Sequence, residues 1–329
     1  MGAGLTLRVA IVGCGLIGQK RSRALADAKV VVCCDAIEER AASLAKAAGA
    51  ASCADWQEVV RRDDVDAVIV ATTNDMLAPV SLAAIEAGKH VLVEKPAARS
   101  VAEVAPLIEA AARRDVRVRV GFNHRYHPAL LKAREIVDSG SAGDLMFVRG
   151  RYGHGGRLGY DKEWRADPEK AGGGELIDQG VHLIDLARWF LGDFTSVDGF
   201  AATYFWQMPV DDNAFLLLRT ASDRAAFLHV SCTEWKNLFS LEIYGRTGKL
   251  QIDGLGGTYG VERLTFYRML PEMGPPETTS WEYPRGDQSW ELEFREFLDD
   301  IAQRRMPSAG LAEAHAALAV VKQIYDHRA

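Results

Sequence analysis

The chain has 329 residues, 48% hydrophobic and 26% charged, with a formal net charge of −6. This length predicts about two domains, and the acidic balance without a basic–aromatic run argues against a nucleic-acid partner. The sequence contains no apolar run near the ~18 residues that would span a membrane. It also shows no secretory signal, and its five cysteines have no C-x-x-C spacing. We therefore expect a cytoplasmic protein with reduced thiols.

The first element predicts a dinucleotide-binding loop. Val9–Gly18 reads VAIVGCGLIG, an apolar strand that leads directly into G-x-G-x-x-G, and a helix-like segment follows over Leu16–Ala28. In such a loop Gly13 permits the tight turn and Gly15 lets the backbone approach a pyrophosphate. Gly18 lets the helix pack closely on the strand.

The next strand indicates which dinucleotide binds. The helix start, including Leu16 and Ile17, offers free N–H groups to the phosphates. The second apolar run, Val30–Cys34, ends in Asp35. A carboxylate there accepts hydrogen bonds from ribose hydroxyls and repels a 2′-phosphate, so the sequence favours NAD over NADP. The nearby Arg40 keeps NADP open as the less favoured alternative.

The rest of the first ~120 residues alternates strand and helix signals, which predicts a doubly wound parallel sheet. The predicted strand DAVIVA is apolar almost throughout, as a strand buried on both faces requires. In chain order the predicted elements are helix Glu38–Ala48, strand Asp66–Ala71, helix Leu77–Ala87, strand His90–Val93, helix Val101–Arg114 and strand Val116–Val120.

After about Gly121 the pattern changes to that of a largely antiparallel sheet with a few helices. The predicted elements are helix Pro128–Ser139, strand Met146–Tyr152, helix Gly174–Leu191, strands Val197–Phe205, Asn213–Thr220, Ala225–Thr233, Phe239–Gly245, Lys249–Asp253 and Arg263–Tyr267, and helices Trp290–Arg304 and Leu311–His327.

Two clusters of side chains suggest chemistry. Lys95 follows a parallel strand, and the carboxyl ends of such strands face the ligand crevice; a surface lysine before a turn is the alternative. Asp178, His182 and Asp185 recur at helical spacing on one face of a predicted helix. A histidine flanked by carboxylates can be oriented and its pKa tuned, although a solvated helix face would show the same spacing.

Several motifs occur together in one order, and this order resembles that of the glucose–fructose oxidoreductase/inositol dehydrogenase (Gfo/Idh/MocA) family. They are G-x-G-x-x-G, A-T-x-N at 71–74, E-K-P at 94–96, G-F-N-x-R at 121–125, and W-R…A-G-G-G…D-x-G-x-H-x-x-D from 164 to 185. The resemblance implies an α/β protein. Residues 1–122 would form an NAD-binding Rossmann domain. Residues 123–329 would form an α+β substrate domain on a large, mainly antiparallel open sheet that builds homodimers or homotetramers. The C-terminal helices would pack back on the first domain.

The same resemblance implies the site residues. The catalytic trio would be Lys95, Asp178 and His182, which would also bind substrate. Cofactor contacts carry over onto Gly13, Gly15, Leu16, Ile17, Gly18, Asp35, Thr72, Asn74, Glu94, Lys95, Asn123 and Arg165.

The glycine-rich loop Gly153–Trp164 resembles sequences of sugar-modifying members. We expect substrate contacts from His154, Arg157, Tyr160 and Trp164, with a flexible surface loop as the alternative. Further candidates from the sheet are Trp206, Trp235 and Asn237, although such aromatics also serve as core or subunit interface. His124 and His127 lack a third ligand at suitable spacing, so we expect no metal.

These features together predict an NAD-dependent oxidoreductase that interconverts a secondary hydroxyl and a ketone on a sugar. The favoured position is the 3-hydroxyl or 3-keto group of an amino sugar or nucleotide sugar. An inositol or free monosaccharide dehydrogenase is the alternative. An NAD-dependent glycosidase and a non-catalytic nucleotide sensor are weaker alternatives, because the sequence retains Lys95, Asp178 and His182 together.

Overall fold

The computed structural model describes residues 6–327, which divide into two compact units. Unit 1 contains the chain through Phe122 and also Trp290–His315, which return to it from near the end of the sequence. Unit 2 contains Asn123–Ser289 and the chain from Ala316 onward. Within the described residues, the structure has no helix long and apolar enough to cross a membrane.

Six parallel strands form the sheet of unit 1. They are β1 (Arg8–Val12), β2 (Lys29–Cys34), β3 (Ala51–Cys53), β4 (Ala67–Val70), β5 (His90–Val93) and β6 (Val118–Val120). The helices around them are α1 (Leu16–Ser22), α2 (Glu38–Ala48), α3 (Trp56–Val60), α4 (Asn74–Glu86) and α5 (Val101–Arg114).

The strand order in unit 1 is β3-β2-β1-β4-β5-β6, which confirms the predicted doubly wound sheet. The order reverses between β1 and β4. Ligands of such sheets bind beyond the carboxyl ends of the strands at that reversal. The loop that starts at Gly13 follows β1, and Asp35 and Thr72 follow β2 and β4. The sheet therefore brings these three predicted cofactor residues to one edge.

Unit 1 differs from the prediction at several element ends and in two larger respects. Helix α4 begins at Asn74 rather than Leu77, and β6 begins at Val118 rather than Val116. Helix α1 ends at Ser22 rather than Ala28, because the chain then turns toward β2, with Ala26 in the left-handed region at φ +48°. The sequence does not predict β3 and α3. Strand β3 has three residues and is mostly exposed, so it carries no apolar run that would reveal it.

The core of unit 1 includes a helix from the far end of the chain, α9 (Ser289–Ala302). Its Phe294 and Phe297 are almost fully buried and pack with Ile11 and Leu92 of the sheet. Burial of each such side chain contributes roughly 1.5–3 kcal/mol. The parallel sheet thus depends on residues almost 300 positions from its first strand.

Helix α9 also supplies a carboxylate to a buried charge on α1. Arg21 is only 1% exposed; its Nε donates to Glu94 Oε1 at 2.7 Å and its Nη1 to Glu293 Oε2 at 2.5 Å. The Trp290 ring covers the guanidinium at 4.4 Å. Burial raises the pKa of Glu293. A buried guanidinium requires charged partners, and here it holds the residue after β5 to the returning helix.

Removing this cation should destabilise the protein in a pH-dependent way. Arg21→Met should lower the free energy of unfolding by about 3–5 kcal/mol near neutral pH, because two buried carboxylates lose their partner. Burial already raises the pKa of Glu293, and without Arg21 it would lie further above that of unfolded glutamate, about 4.3. The loss of stability should therefore grow as the pH rises from about 4 toward the folded-state pKa of Glu293 and shrink below about pH 4. Urea unfolding at several pH values measures it.

The control is Arg23→Met, which removes an exposed arginine just after the same helix and should change stability by no more than about 0.5 kcal/mol. Equal losses for the two variants, or a loss at position 21 that does not depend on pH, would contradict the prediction.

Eight strands form the sheet of unit 2, and every neighbouring pair is antiparallel except one. The strands are β7 (Leu145–Gly153), β8 (Phe194–Ala202), β9 (Asn213–Thr220), β10 (Ala225–Ser231), β11 (Leu238–Gly245), β12 (Gly248–Asp253), β13 (Glu262–Arg268) and β14 (Glu277–Tyr283). The remaining helices are α6 (Pro128–Asp138), α7 (Pro168–Ala171), α8 (Val181–Leu191) and α10 (Leu311–Asp326).

The order in unit 2 is β14-β13-β12-β11-β7-β10-β9-β8, with β7 and β10 parallel. The predicted large, mainly antiparallel open sheet is therefore confirmed. Helices α6 and α8 pack on it. The sequence does not predict β14, an edge strand that reads ETTSWEY and is mostly exposed. Without a buried face it shows no alternation of apolar and polar residues.

Candidate active site

The glycine loop of unit 1 has two kinds of glycine. Gly13 adopts φ +95°, and a Cβ there would lie 2.3 Å from the Ala71 carbonyl oxygen. A Cβ on Gly18 would lie 1.9 Å from the Gly13 carbonyl oxygen. Gly15 differs, since its φ is −70° and a Cβ there would meet nothing within 4 Å. The fold requires glycine at 13 and 18, whereas Gly15 leaves open space that suits a pyrophosphate.

Asp35 is fixed beside this loop by main-chain hydrogen bonds. Its Oδ2 accepts the Cys14 N–H at 2.7 Å and its Oδ1 the Ile37 N–H at 2.9 Å. The half-buried carboxylate thus stands at the end of β2, next to the glycine turn. Leu16, the first residue of α1, is exposed, and Ile17 is half-buried. This edge can accept hydrogen bonds from a ribose and present apolar surface beside it.

The next two strands place further predicted cofactor residues at their carboxyl ends. Half-buried Thr72 follows β4, and Asn74 is buried at the start of α4. Glu94 follows β5, is buried, and is held by Arg21. Lys95 comes next, half-buried, and joins Pro96 through a cis peptide bond.

The G-F-N-x-R motif contributes to this cluster through its glycine. A Cβ on Gly121 would lie 2.8 Å from Arg21 Nη2 and 2.9 Å from Glu94 Oε2. The missing side chain leaves room for the ion pair that positions Glu94.

In unit 2, the segment with Asp178 is not the regular helix that the sequence predicts over Gly174–Leu191. Leu176–Gly180 form a π-helical turn, and α8 begins at Val181. The carboxylate of Asp211 caps the start of this segment, because it accepts the N–H groups of Gly174 at 3.1 Å and Leu176 at 2.8 Å. Turns of this kind are rare and often occur at functional sites.

Asp178 is paired with Arg165. The Arg165 Nε donates to Asp178 Oδ2 at 2.9 Å, and the carboxylate is nearly buried. The charge of Asp178 raises the pKa of Arg165, while burial acts in the opposite direction. The resemblance assigns Arg165 to the cofactor; within unit 2 it pairs with this carboxylate and, at 3.6 Å, with that of Glu163.

His182 lies in the first turn of α8 and is buried. Its ring stacks on that of His124, with centroids 3.8 Å apart and planes inclined by 13°. The ring of Tyr152 meets both imidazoles edge-on. The third residue of the predicted stripe, Asp185, forms a buried bidentate ion pair with Arg125 at 2.7 and 2.5 Å. A planar stack of this kind fixes the orientation of the His182 ring.

The loop after β7 is anchored to the same region by Glu175. This buried carboxylate lies 3.6 Å from His154 Nε2 and accepts a hydrogen bond from Tyr160 Oη at 3.4 Å. Burial lowers the pKa of His154, so its imidazole is neutral at physiological pH. Burial also raises the pKa of Tyr160, which keeps its hydroxyl protonated.

The other two loop candidates lie farther out. Arg157 is exposed and donates to Glu163 at 2.7 Å. Trp164 lies under the guanidinium of Arg165, with its ring 4.6 Å from the guanidinium carbon. These contacts tie the outer part of the loop to Arg165, the partner of Asp178.

The histidines considered as metal ligands have other partners. His127 hydrogen-bonds with Glu262 at 3.0 Å, and His124 stacks on His182. Asn123, a cofactor residue by resemblance, donates to Ser289 Oγ at 2.8 Å. Over residues 6–327 the structure contains no group of three His, Cys, Asp or Glu side chains that could hold a metal.

Sequence reasoning missed several residues that build these clusters, namely Arg21, Glu175, Asp211 and Glu293. A charged residue three positions after Gly18, on the side of the helix that faces the sheet, was a usable signal for Arg21. The carboxylates carry no comparable signal, because their partners lie far away in the sequence.

Family models match most of the chain. Residues 7–122 match the oxidoreductase family with an NAD-binding Rossmann fold. Residues 130–251 match the C-terminal domain of GFO/IDH/MocA proteins. The chain belongs to the Gfo/Idh/MocA oxidoreductase family. This membership confirms the family and the NAD cofactor predicted from the motifs, and Gly15 and Asp35 fit that cofactor.

Similar proteins include a dehydrogenase and a reductase that are named for sugar substrates. A levoglucosan dehydrogenase of Pseudarthrobacter phenanthrenivorans is 30% identical over 226 residues, which are 62% of this chain and 56% of that protein. A dTDP-3,4-didehydro-2,6-dideoxy-alpha-D-glucose 3-reductase of Streptomyces violaceoruber is 29% identical over 75% of this chain and 72% of that protein. A solved levoglucosan dehydrogenase in complex with NADH and levoglucosan has a TM-score of 0.86 at 25% identity, over 98% of this chain and 97% of that one. The chain thus spans little more than half the length of the first relative.

The two kinds of glycine predict different effects of the same substitution. Gly15→Ala should raise the Kd for NADH at least roughly tenfold, a loss of about 1.4 kcal/mol, because the methyl group occupies the space left for the pyrophosphate. Its stability should stay within about 1 kcal/mol of wild type, since that methyl group meets no protein atom. NADH fluorescence titration and urea unfolding measure the two effects.

Gly18→Ala is the matched control. It should lose stability, because its methyl group collides with the Gly13 carbonyl. If Gly15→Ala binds NADH as wild type does, the open space at Gly15 does not serve the cofactor.

Proposed function

We propose that this protein is an NAD-dependent dehydrogenase that interconverts a secondary hydroxyl and a ketone on a sugar. The observation that carries the proposal is the polar cluster of unit 2. It combines buried His182, stacked on His124, with Asp178, whose charge Arg165 balances. An oriented imidazole and a retained carboxylate suit proton removal from a hydroxyl, and the family is one of NAD-binding oxidoreductases.

In this proposal the residues have the following roles. NAD, when bound, would supply the acceptor for the hydride of the carbinol carbon. His182 accepts the hydroxyl proton as the general base. Lys95 donates a hydrogen bond to the reacting oxygen and stabilises the developing alkoxide. Asp178 holds either the substrate hydroxyl or the imidazole in place. Lys95 as the proton carrier is the alternative.

The cofactor preference rests on Asp35. Its carboxylate, fixed beside the glycine loop, would accept hydrogen bonds from the adenosine ribose and repel the 2′-phosphate of NADP. The other cofactor contacts that we propose are the glycine loop with Leu16 and Ile17, together with Thr72, Asn74, Glu94, Asn123 and Arg165.

The favoured substrate is an amino sugar or nucleotide sugar that reacts at its 3-position. This choice is supported by the similarity to the dTDP-sugar 3-reductase. We assign the substrate contacts to four residues of the loop after β7, His154, Arg157, Tyr160 and Trp164. Two of them, His154 and Tyr160, contact the buried carboxylate of Glu175. An inositol or a free monosaccharide is the alternative substrate, and the cytoplasm is the proposed location.

A test of the reaction class mixes the protein with NAD and a panel of sugars, nucleotide sugars and inositols. Net formation of NADH supports a dehydrogenase. Release of an aglycone without net NADH would indicate a glycosidase, and binding without turnover would indicate a sensor; either result contradicts the proposal.

The general base can be tested by substitution. His182→Ala should lower kcat by roughly 10²–10⁴, the usual contribution of a positioned acid–base group, and should leave NADH affinity unchanged. For oxidation, wild-type kcat/KM should rise with pH through a group near neutrality, because the base must be unprotonated. His182→Ala should lose that limb of the profile.

Surface His327→Ala serves as the control and should retain wild-type kinetics. If His182→Ala keeps normal turnover and an unchanged pH profile, the histidine is structural and Lys95 carries the proton.

We also propose that the protein forms a homodimer or homotetramer through the sheet of unit 2. Along β9, Leu216 and Leu218 are buried, whereas Leu217 between them is 43% exposed. Leu217 pairs with Phe227 of β10, which is 50% exposed. Phe200 of β8 adds another exposed ring. We call these three residues the outer band, and a second copy would remove its apolar surface from water.

Phe227→Glu should shift the protein toward monomer, because a charge in the outer band must lose its hydration when the subunits meet. Light scattering at micromolar concentration measures the mass, and circular dichroism checks the fold. Thr278→Glu, on the exposed edge strand β14, should leave the mass unchanged. A wild-type monomer at that concentration would contradict the proposed assembly.

A further inference from the structure

A line of aromatic rings leads to the surface of unit 2 from His154, Tyr160 and Glu175, which we call the loop cluster. Tyr160, which faces Glu175, lies 5.6 Å from Trp206, centroid to centroid. Trp206 lies 5.2 Å from Phe205, and Phe205 lies 4.8 Å from Trp235. Phe205 is 50% exposed and Trp235 68% exposed. We call Phe205, Trp206 and Trp235 the aromatic ridge.

The topology explains why the ridge and the loop meet. Strands β7 and β10 are parallel, and both β8 and β10 are antiparallel to β9. Strands β7, β8 and β10 therefore run in the same direction, and the loops that follow them leave the sheet at the same end of the strands. The first of these loops carries His154 and Tyr160, and the other two carry the ridge.

The ridge is held in place by a buried carboxylate. Asp212 is fully buried and accepts the backbone N–H groups of Phe205 at 2.7 Å and Trp206 at 3.0 Å. Although burial acts to raise the pKa of Asp212, hydrogen bonds from Asn213 and the backbone lower it overall. The Trp206 indole N–H donates to the Cys232 carbonyl at 3.0 Å. These hydrogen bonds fix the backbone at Phe205 and Trp206 and the orientation of the Trp206 indole.

Trp235 is exposed, and its backbone has a strained conformation. Its φ is +58°, a conformation that bulky residues rarely adopt and that concentrates at functional sites. The preceding residue ties this turn to the loop cluster, because the Glu234 N–H donates to the His154 carbonyl at 3.0 Å. A Cβ on Gly156 would lie 2.4 Å from the Trp206 ring, so the loop passes directly against the indole.

We propose that the aromatic ridge is a subsite for a second sugar ring, so that the substrate is a glycoside of at least two rings. This inference rests on the proposed function, since it places the reacting ring at the loop cluster and the outer ring on Phe205 and Trp235. The C–H faces of a pyranose pack on aromatic faces, while its hydroxyls can reach the exposed polar side chains of Gln207, Lys236 and Asn237. A free monosaccharide or inositol would leave the ridge uncovered.

The decisive experiment measures binding rather than turnover. Calorimetry on the protein saturated with NADH would compare methyl α-D-glucopyranoside with three two-ring probes, maltose, cellobiose and neamine. We expect at least one two-ring probe to bind roughly tenfold tighter, and saturation of aromatic protons in NMR to transfer to its outer ring. Trp235→Ala and Phe205→Ala should each weaken that probe roughly 5–10-fold and leave the one-ring probe unchanged.

Two variants separate stacking from folding. Trp235→Phe keeps an aromatic face and should restore most of the affinity. Leu158→Ala removes a fully exposed apolar side chain from the neighbouring loop and should have no effect. The proposal is overturned if no two-ring probe binds tighter than the one-ring probe, or if the alanine variants bind the two-ring probe as tightly as wild type does. It is also overturned if these variants instead change the mass of the oligomer, because the ridge would then be a subunit interface. Because no probe must react, failure of the dehydrogenase assay leaves this test valid.

Discussion

The packing of unit 1 depends on a buried cation, Arg21. Arg21 joins three segments that are distant in the sequence, namely α1, the residue after β5 and the returning helix α9. A charge in this environment is stable only while its partners stay in place. Several features of the sequence then have one explanation. Glu94 must be acidic, Gly121 must lack a side chain, and Trp290 must cover the guanidinium. The strand end that carries Lys95 is positioned by this network.

In unit 2, segments are positioned by buried carboxylates that accept hydrogen bonds from main-chain N–H groups. Asp211 holds the π-helical turn that contains Asp178, and its neighbour Asp212 holds the aromatic ridge. Successive residues of one segment thus fix a turn with a candidate catalytic group and a loop with candidate recognition groups. Tyr325 of α10 also donates a hydrogen bond to Asp211 Oδ1, at 2.8 Å.

The sequence predicted what depends on local pattern. The bounds of α2, β5 and α5 agree with the structure, because apolar periodicity, a cap or a terminal glycine marks each of them. Short or exposed elements such as β3 and β14 lack that pattern. The π-helical turn was wrongly predicted as regular helix, and the residue that caps it, Asp211, is more than 30 residues away in the sequence. The stack of His124 on His182 is equally non-local, and no spacing rule reveals it.

The return of α9 to unit 1 has a consequence for synthesis on the ribosome. When Phe122 leaves the exit tunnel, every strand of the parallel sheet has been made, but the two phenylalanines that complete its core and the carboxylate of Glu293 have not. Translation at roughly 5–20 residues per second delays them by on the order of ten to thirty seconds. During that interval the nascent sheet carries an uncovered apolar face and an incompletely paired Arg21. Unit 2 has by then been synthesised almost whole, so the domain encoded first is the one that must wait to finish folding.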